Sequence, residues 1–511
     1  MMKHQIRFEV GPEQYEFFFP VEQESEWLLL QFASDQSMTW EEIRFSEPGG
    51  KQRFLYWDVH SPREAVLHAS PVFTSYLGVP GSIPSGRWQI EFKIGKPCTF
   101  TLEWEYGSGA LPASLEIPSA DRDFWTDGAS PDRRHFALNQ YDWQAAKCEE
   151  ARWYRGDFHT HTTLSDGKMT PEQATRLAEE VGLDFFVATE HNTLPSAWPK
   201  SRLLVIPGAE LTSHSRGDWN AIGLTQSIDY WSNVDFGRLE RTEEDFTARM
   251  NQLREQVGAL GAIRSLNHPL IGRFAWKAPG TLLSGVDALE IWQTPVMKSH
   301  LAPNEGALLL WTILWNAGYQ LSGIGGSDTH YFPHEPFHEG EQPQVIGDPA
   351  TCVWAPKLTA AHILQGVRNR HVYVTRGPQL EAQIQVGEPI FRFGDDLTEA
   401  LQRTSGSAVC RLRVAGAKGA SLHLVVNGDL QSRREVANDQ ETFEDEFDWQ
   451  SSSYVWARYE CRDEQGHLLA VTNPFFAGKK EKEIFTWQEV LDRAYQVDPD
   501  LRQLVEGNEI I

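Results

Sequence analysis

The chain reads as an α/β protein in which a central β/α barrel is carried between two β-rich regions. Three observations lead there. From about Trp153 to Pro378, strand-like runs alternate with helix-like ones, the signature of parallel strands joined by crossover helices. Residues 1–150 hold short stretches rich in aromatic and β-branched residues, divided by Gly and Pro clusters, as in a β-sandwich. After the central region the strand pattern returns. The expected organisation is therefore a sandwich-like domain over 1–150, a barrel over 151–380, a β-rich domain over 381–478 and a helical tail over 479–511.

The elements follow in order. Tyr15–Phe19, Trp27–Phe32, Arg53–Val59, Trp88–Ile94 and Thr99–Trp104 are the N-terminal strand candidates, with the turn-rich Val79–Gly86 among them. Ala129–Arg155, polar and then helix-like, reads as a linker. Thr170, Pro171 and Gln173 form a helix start with a capping box, Ala174, Leu177, Ala178 and Val181 its apolar stripe, and Gly182 its stop. Buried strands are expected at Asp184–Ala188, Leu203–Ile206, Ala262–Leu266, Ala288–Trp292, Leu321–Gly325 and His371–Val374. Helices are expected near Glu243–Leu260, from an Asn304 cap through Ala317, and near Thr359–Arg370. Val409–Val414, Ser421–Val426, Tyr454–Cys461 and Leu468–Thr472 are the later strands, and Trp487–Tyr495 a docked terminal helix.

Polar clusters recur where these strands end. GDFHTHTTLSDG places His159 and His161 two apart, on one face of an extended segment, with Asp166 shortly after. His191, Glu210, His268, Asp328 and His330 follow other strands. An isolated His-x-His pair is ordinarily two polar side chains. Five strands ending in His, Asp or Glu are hard to explain by core packing, because buried ionisable groups are costly unless paired or bound to metal. In a β/α barrel the carboxyl ends of the strands share one face, so these residues are expected to converge there. Imidazole and carboxylate together suit Zn, Mn or Fe.

The ordered set GDFHTHTTLSDG, ATEHN, PGAEL, NHP and GSDTH, over roughly residues 153–380, resembles the polymerase-and-histidinol-phosphatase (PHP) domain, most closely its CehA/McbA-like branch. The resemblance implies a distorted seven-stranded β/α barrel holding two or three divalent metals, and hydrolysis, most often of phosphoesters. It implies His159, His161, Asp166, His191, Glu210, His268, Asp328 and His330 as ligands, with Glu210 bridging two metals. Glu210, Asp328 and His330 are the residues assigned to catalysis. Where the family often has Gly-His-x-Asn, this chain has Gly217-Asp218-Trp219-Asn220, which leaves Asp218 or His214 to ligate, or a weaker third metal. Glu190 reads as support for His191 rather than as a ligand.

Candidates to grip an anionic substrate are Arg216, Arg264 and Arg273, each of which also suits a plain ion pair. His300, His334 and His338 could assist a leaving group or be solvated loop residues, and Trp276 and Trp292 could line a pocket or the core. No G-x-S-x-G elbow is present.

The formal charge of −25 on 511 residues argues against wrapping nucleic acid, yet permits a small anionic substrate beside metal ions. Five scattered cysteines suggest free thiols in a reducing compartment. Glu9 and Glu13 interrupt any signal-peptide core, and the apolar run Ala307–Trp315 is too short to span a bilayer, so a cytoplasmic protein is expected. Homo-oligomerisation is left open. The functional expectation is a metal-dependent phosphoesterase acting on a small molecule. The alternatives are a carboxylic ester, carbamate or amide hydrolase, and a non-catalytic binding protein on the same fold.

Overall fold

A computed structural model of the chain describes residues 3–11, 15–35, 42–57, 60–93, 96–112, 121–130, 135–213, 216–230, 243–337, 339–404, 406–449 and 453–506. It is a mixed α/β structure, rich in strands and with few helices. His214 and His338 lie outside the described residues.

Two four-stranded antiparallel sheets form the N-terminal region. One orders His4–Val10, Cys98–Gly107, Trp27–Ser34 and Glu64–His68; the other orders Glu16–Val21, Gly86–Lys93, Glu42–Ser46 and Gln52–Trp57. Alternation along these strands gives each sheet one aromatic face. The faces meet in ring contacts such as Phe8–Phe17 at 4.4 Å, Phe92–Phe100 at 4.8 Å and Phe32–Phe45 at 6.0 Å.

The central region is built on a 14-stranded sheet. Its strands run in the order Ser322–Gly326, Ala288–Gln293, Ile263–Leu266, Gly217–Ile222, Leu204–Ser213, Phe185–Ala188, Arg152–Asp157, Ala350–Ala355 and Val372–Thr375. The sheet then continues into the later strands Leu468–Thr472, Val455–Arg462, Ser421–Val426 and Asp429–Glu435, with Phe475–Ala477 also paired to Val455–Arg462. Thr351 Oγ1 donates to Gly325 O at 2.7 Å and accepts from Gly325 N at 2.8 Å, which sets Ala350–Ala355 beside Ser322–Gly326 as well.

The expected alternation of strand and helix holds only in part. Pro171–Glu180 and Leu301–Asn316 each link parallel neighbours, and the Thr170–Gln173 capping box forms. Leu204–Ser213 and Gly217–Ile222, by contrast, form an antiparallel hairpin. The turn between them is too short for a crossover helix, so the second strand must fold straight back. Arg152–Asp157 and Ala350–Ala355 are also antiparallel, so the sheet is mixed rather than uniformly parallel.

Two other expectations change. The helix after Ala288–Gln293 begins at Leu301, and Asn304 sits inside it. Asn304 accepts from Gln293 N at 3.0 Å and donates to Gln293 O at 2.8 Å, so it fixes the end of the neighbouring strand instead of capping. The stretch read as a linker has no helix among its described residues and packs on the central sheet, Tyr141 Oη donating to Val205 O at 2.8 Å. The tail forms Trp487–Val497, with its own capping box, and Leu501–Glu506. No helix among the described residues is long and apolar enough to cross a membrane.

Candidate metal centre

One edge of the central sheet gathers the polar clusters. His159 and His161 follow Arg152–Asp157, His191 follows Phe185–Ala188, His268 follows Ile263–Leu266, and Asp328 and His330 follow Ser322–Gly326. Glu210 lies within Leu204–Ser213. Asp218 comes from the start of its strand, yet the hairpin pairs it with Thr212 near the end of the preceding one. The antiparallel turn thus delivers a strand start to the edge where parallel strands deliver their ends.

The backbone is bent to do this. His268, Asp328 and Asn192 adopt φ of 25°, 50° and 54°, the left-handed region that side chains beyond glycine seldom occupy. Buried Asp157 ties two of these loops together: Oδ1 accepts from His159 N at 3.1 Å and Ser327 N at 3.0 Å.

The functional atoms converge closely. His159 Nε2 lies 3.1 Å from Glu210 Oε1 and 3.3 Å from Asp328 Oδ1. His161 Nε2 lies 3.3 Å from Glu210 Oε2 and 3.1 Å from Asp328 Oδ1. Asp166 Oδ1 is 3.3 Å from both His191 Nε2 and His330 Nε2. His268 Nε2 is 3.4 Å from Glu210 Oε1 and 3.8 Å from Asp218 Oδ2. Among the described residues, four overlapping groups could each hold an ion: His161, Asp166, His191 and His330; His159, His161 and Glu210; His159, His268 and Glu290; and Glu210, Asp218 and His268. Eight of the nine residues expected to ligate stand in these groups, Glu210 in two of them, and Asp328 joins the cluster through its contacts with His159 and His161.

The electrostatics fit cations. Among the described residues, His159 Nε2, both ring nitrogens of His161 and Asp166 Oδ1 are buried without a partner in hydrogen-bonding geometry. Such atoms are costly unless something else satisfies them, and this donor set of imidazoles and carboxylates suits divalent metal ions. With protons as the only cations, burial opposes charge on the imidazoles, but the facing carboxylates win. His161 is pushed up to about 10 by Asp328 and Glu210, and His268 to about 9 by Glu210. Asp166 and Glu210 are held well below the usual carboxylate range by the histidines, against burial. Asp218 goes the other way: burial and the Glu210 charge raise it well above that range.

Side chains behind the cluster fix its orientation. Glu290 Oε1 sits 3.0 Å from His159 Nδ1, while Oε2 accepts from His268 N at 2.8 Å. His191 Nδ1 lies 2.5 Å from Thr212 Oγ1, and His330 Nδ1 lies 2.8 Å from Asp328 O. Asn267 Nδ2 donates to Glu210 Oε1 at 2.7 Å, and Gln293 Nε2 to Asp328 Oδ2 at 2.6 Å. Glu190 accepts from Thr162 N, Thr162 Oγ1 and Ser165 Oγ, and so holds the His161 loop. Sequence reasoning missed Glu290, Gln293 and Asp157. The available signal was a carboxylate in the buried run ALEIWQ, where nothing apolar explains it.

A cavity of about 240 Å³ opens onto the cluster. Arg273 and His300 line it, with Ile271, Phe274, Met297, Tyr331 and Phe337 as its apolar wall and His60 from the N-terminal region at its rim. Arg264 is elsewhere: its guanidinium forks onto Asp287, with contacts of 2.7 and 2.9 Å, because it leaves a strand on the side away from the site. Arg216 is not among the lining residues, and its guanidinium lies 5.3 Å from the Phe246 ring centre. His334 stacks on Phe332 at 5.7 Å; Trp276 is buried core, donating to Thr281 Oγ1, and Trp292 lines a different cavity.

No protein-family model matches the chain. A 5'-3' exoribonuclease Rnm of Salmonella typhimurium is 30% identical over 139 residues, 25% of this chain; the chain spans 43% of that relative's length. Among solved structures, a two-domain protein of Bacteroides vulgatus, described as containing a predicted PHP-like metal-dependent phosphoesterase, is 18% identical with a TM-score of 0.31, covering 65% of this chain and 98% of that one. A putative metal-dependent phosphoesterase of Bifidobacterium adolescentis is 16% identical with a TM-score of 0.25, covering 38% and 93%. An amidohydrolase of Chromobacterium violaceum is 12% identical with a TM-score of 0.22, covering 37% and 92%.

Proposed function

We propose that the chain is a metal-dependent hydrolase of the PHP type, a phosphoesterase acting on a small anionic ester, with the central sheet closing as a distorted barrel around the site. The observation that carries this is the buried convergence of five imidazoles and four carboxylates, with polar atoms left unsatisfied by the chain itself. His159, His161, Asp166, His191, Glu210, Asp218, His268, Asp328 and His330 are the residues that would hold two or three divalent ions. Bound there, such ions supply Lewis-acid stabilisation of anionic charge and make water easy to deprotonate near neutral pH. The chain's own part is to orient. Glu290 and the Asp328 carbonyl each hold one imidazole nitrogen so that the other faces inward, and Thr212 fixes the His191 ring at Nδ1. Arg273 is the one permanent cation among the described lining residues and is the residue we assign to grip a phosphoryl group, and His300 would add a donor or acceptor.

The apolar wall of Ile271, Phe274, Met297 and Phe337 favours a second reading, hydrolysis of a carboxylic ester, carbamate or amide of low charge. The exoribonuclease relative raises nucleic acid as substrate, against which stands the chain's charge of −25. Elemental analysis of purified wild type and Glu210→Ala, with hydrolysis of a bis-aryl phosphodiester, tests the proposal. Two or more Zn, Mn or Fe per chain, lost together with phosphodiesterase activity in the variant, supports it. Bound metal with turnover of carboxyl esters alone selects the second reading, and no metal uptake after reconstitution overturns both.

A further inference from the structure

We propose that the N-terminal two-sheet region is a working part of the metal centre, with Trp57 and Glu42 as positioning residues for His191. The inference rests on the reading of His191 as a ligand. It starts from two residues paired directly across two antiparallel strands, Glu42 opening Glu42–Ser46 and Trp57 closing Gln52–Trp57. Directly opposed residues present their side chains on the same face. Here that face meets the loop after Phe185–Ala188. Trp57, 0% exposed, lays its indole on the His191 imidazole with ring centres 5.1 Å apart and planes 23° from parallel. Glu42, 2% exposed, accepts from Asn192 Nδ2 at 2.6 Å.

These contacts close a ring with the central sheet. Asn192 Oδ1 accepts from Thr212 N at 2.9 Å, and Thr212 Oγ1 lies 2.5 Å from His191 Nδ1. The imidazole is thus stacked on one face by Trp57, held at Nδ1 by Thr212 with Glu210 Oε2 3.1 Å away, and has Nε2 facing Asp166 at 3.3 Å. Asn192 needs the help: its φ of 54° is a left-handed conformation that persists only where the surroundings impose it. Glu42 and Thr212 pin its two amide ends in that state. A buried carboxylate is an expensive way to pack two regions together, since an apolar residue would serve for adhesion alone. Buried Lys93, opposite Glu42 across the sheet, offsets part of that cost, and the bond to Asn192 sets the path of the backbone beside His191.

Plain docking is the competing account, and the structure supplies a control for it. Tyr76 Oη donates to Glu172 Oε1 at 2.5 Å, joining the same two regions at the Pro171–Glu180 helix. The test is calorimetric titration of the full-length metal-free protein with Mn²⁺ and with Zn²⁺, alongside thermal unfolding in chelator. Glu42→Ala and Trp57→Leu are expected to weaken one class of site by about 10- to 100-fold, the range for residues that orient ligands. Glu42→Gln, which keeps the acceptor, and Trp57→Phe, which keeps a stacked ring, should restore binding to within about threefold of wild type by the same logic. Tyr76→Phe should bind like wild type. Unchanged titrations for Glu42→Ala and Trp57→Leu overturn the inference while leaving the hydrolase reading intact. Equal weakening by Tyr76→Phe overturns it in favour of generic docking. A wild-type protein that takes up neither ion overturns the hydrolase reading, and the inference with it.

Discussion

Glu290 holds two strand ends with one carboxylate: Oε1 meets His159 Nδ1 at 3.0 Å and Oε2 receives the His268 amide at 2.8 Å. With Nδ1 engaged, His159 must present Nε2 to Glu210 and Asp328. Replacing Glu290 with Ala frees the ring and leaves the amide unpaired. We expect metal affinity to fall by about 10- to 100-fold and hydrolysis with it. Glu290→Gln should retain much of the affinity, because its amide oxygen can still accept from one of the two. Titration calorimetry on the three proteins decides, and unchanged affinity in Glu290→Ala would remove the residue from the centre.

How far the sequence reached can be judged from particular residues. The strand-end positions of His159, His161, His191, His268, Asp328 and His330 were legible because each follows an apolar run and needs only the rule that such strands end on a common edge. Asp218 arrived through the family resemblance, and the hairpin that carries it was not foreseen; a turn of a few residues leaves no periodicity to read. The Asn304 misreading has a simple cause. An Asn before an apolar run looks the same whether it caps its own helix or reaches sideways to a neighbouring strand, and only tertiary contact distinguishes them. Trp57 and Glu42 could not be assigned to the site at all, since nothing local in residues 1–150 records what their sheet faces. Arg264 illustrates the converse: its position at a strand suggested the site, but side chains alternate sides, and Asp287 lay on the other one.

Asp218 distinguishes a ligand from a bystander. In the metal-free protein, burial and Glu210 hold its carboxyl well above the usual range, which favours its protonated form. A buried carboxyl raised in this way costs stability above its unfolded pKa. Asp218→Asn preserves an oxygen for the Ser213 amide and removes that cost. The metal-free variant should therefore melt at the same temperature as wild type or higher. With Zn²⁺ or Mn²⁺ present the order should reverse, and elemental analysis should find less metal per chain. Unchanged metal content and affinity would take Asp218 out of the ligand set.

Gly326 marks a close approach that only glycine allows. A Cβ there would come within 2.4 Å of His159 Cβ, 2.9 Å of His159 N and 3.1 Å of Glu290 Oε1. The first two neighbours are backbone or the root of a side chain, which cannot swing away. Gly326→Ala is expected to destabilise the protein by about 1–3 kcal/mol, the usual range for overpacking. It should also weaken metal binding by displacing His159 from Glu290. Gly377 is the comparison: a methyl group added there would meet nothing within 4 Å, and Gly377→Ala should change neither property. Denaturant unfolding and metal titration of both variants check this.

Stability should depend on pH in opposite senses with and without metal. In the metal-free protein His161 and His268 have folded pKa values pushed to about 10 and about 9, from an unfolded value near 6.5. Their ion pairs with Asp328 and Glu210 contribute stability that is fully present below about pH 6.5. It is lost progressively as pH rises through 9 and 10, where the imidazoles release protons that the unfolded chain has already lost. In chelator, the melting temperature should therefore fall between pH 7 and 10. Metal ions require the same imidazoles neutral, so binding expels protons and tightens as pH rises. The stabilisation conferred by a fixed excess of Zn²⁺ or Mn²⁺ should then grow between pH 6 and 8. Parallel melting curves across that range, with and without the ion, would mean that protons and metal do not compete for His161 and His268.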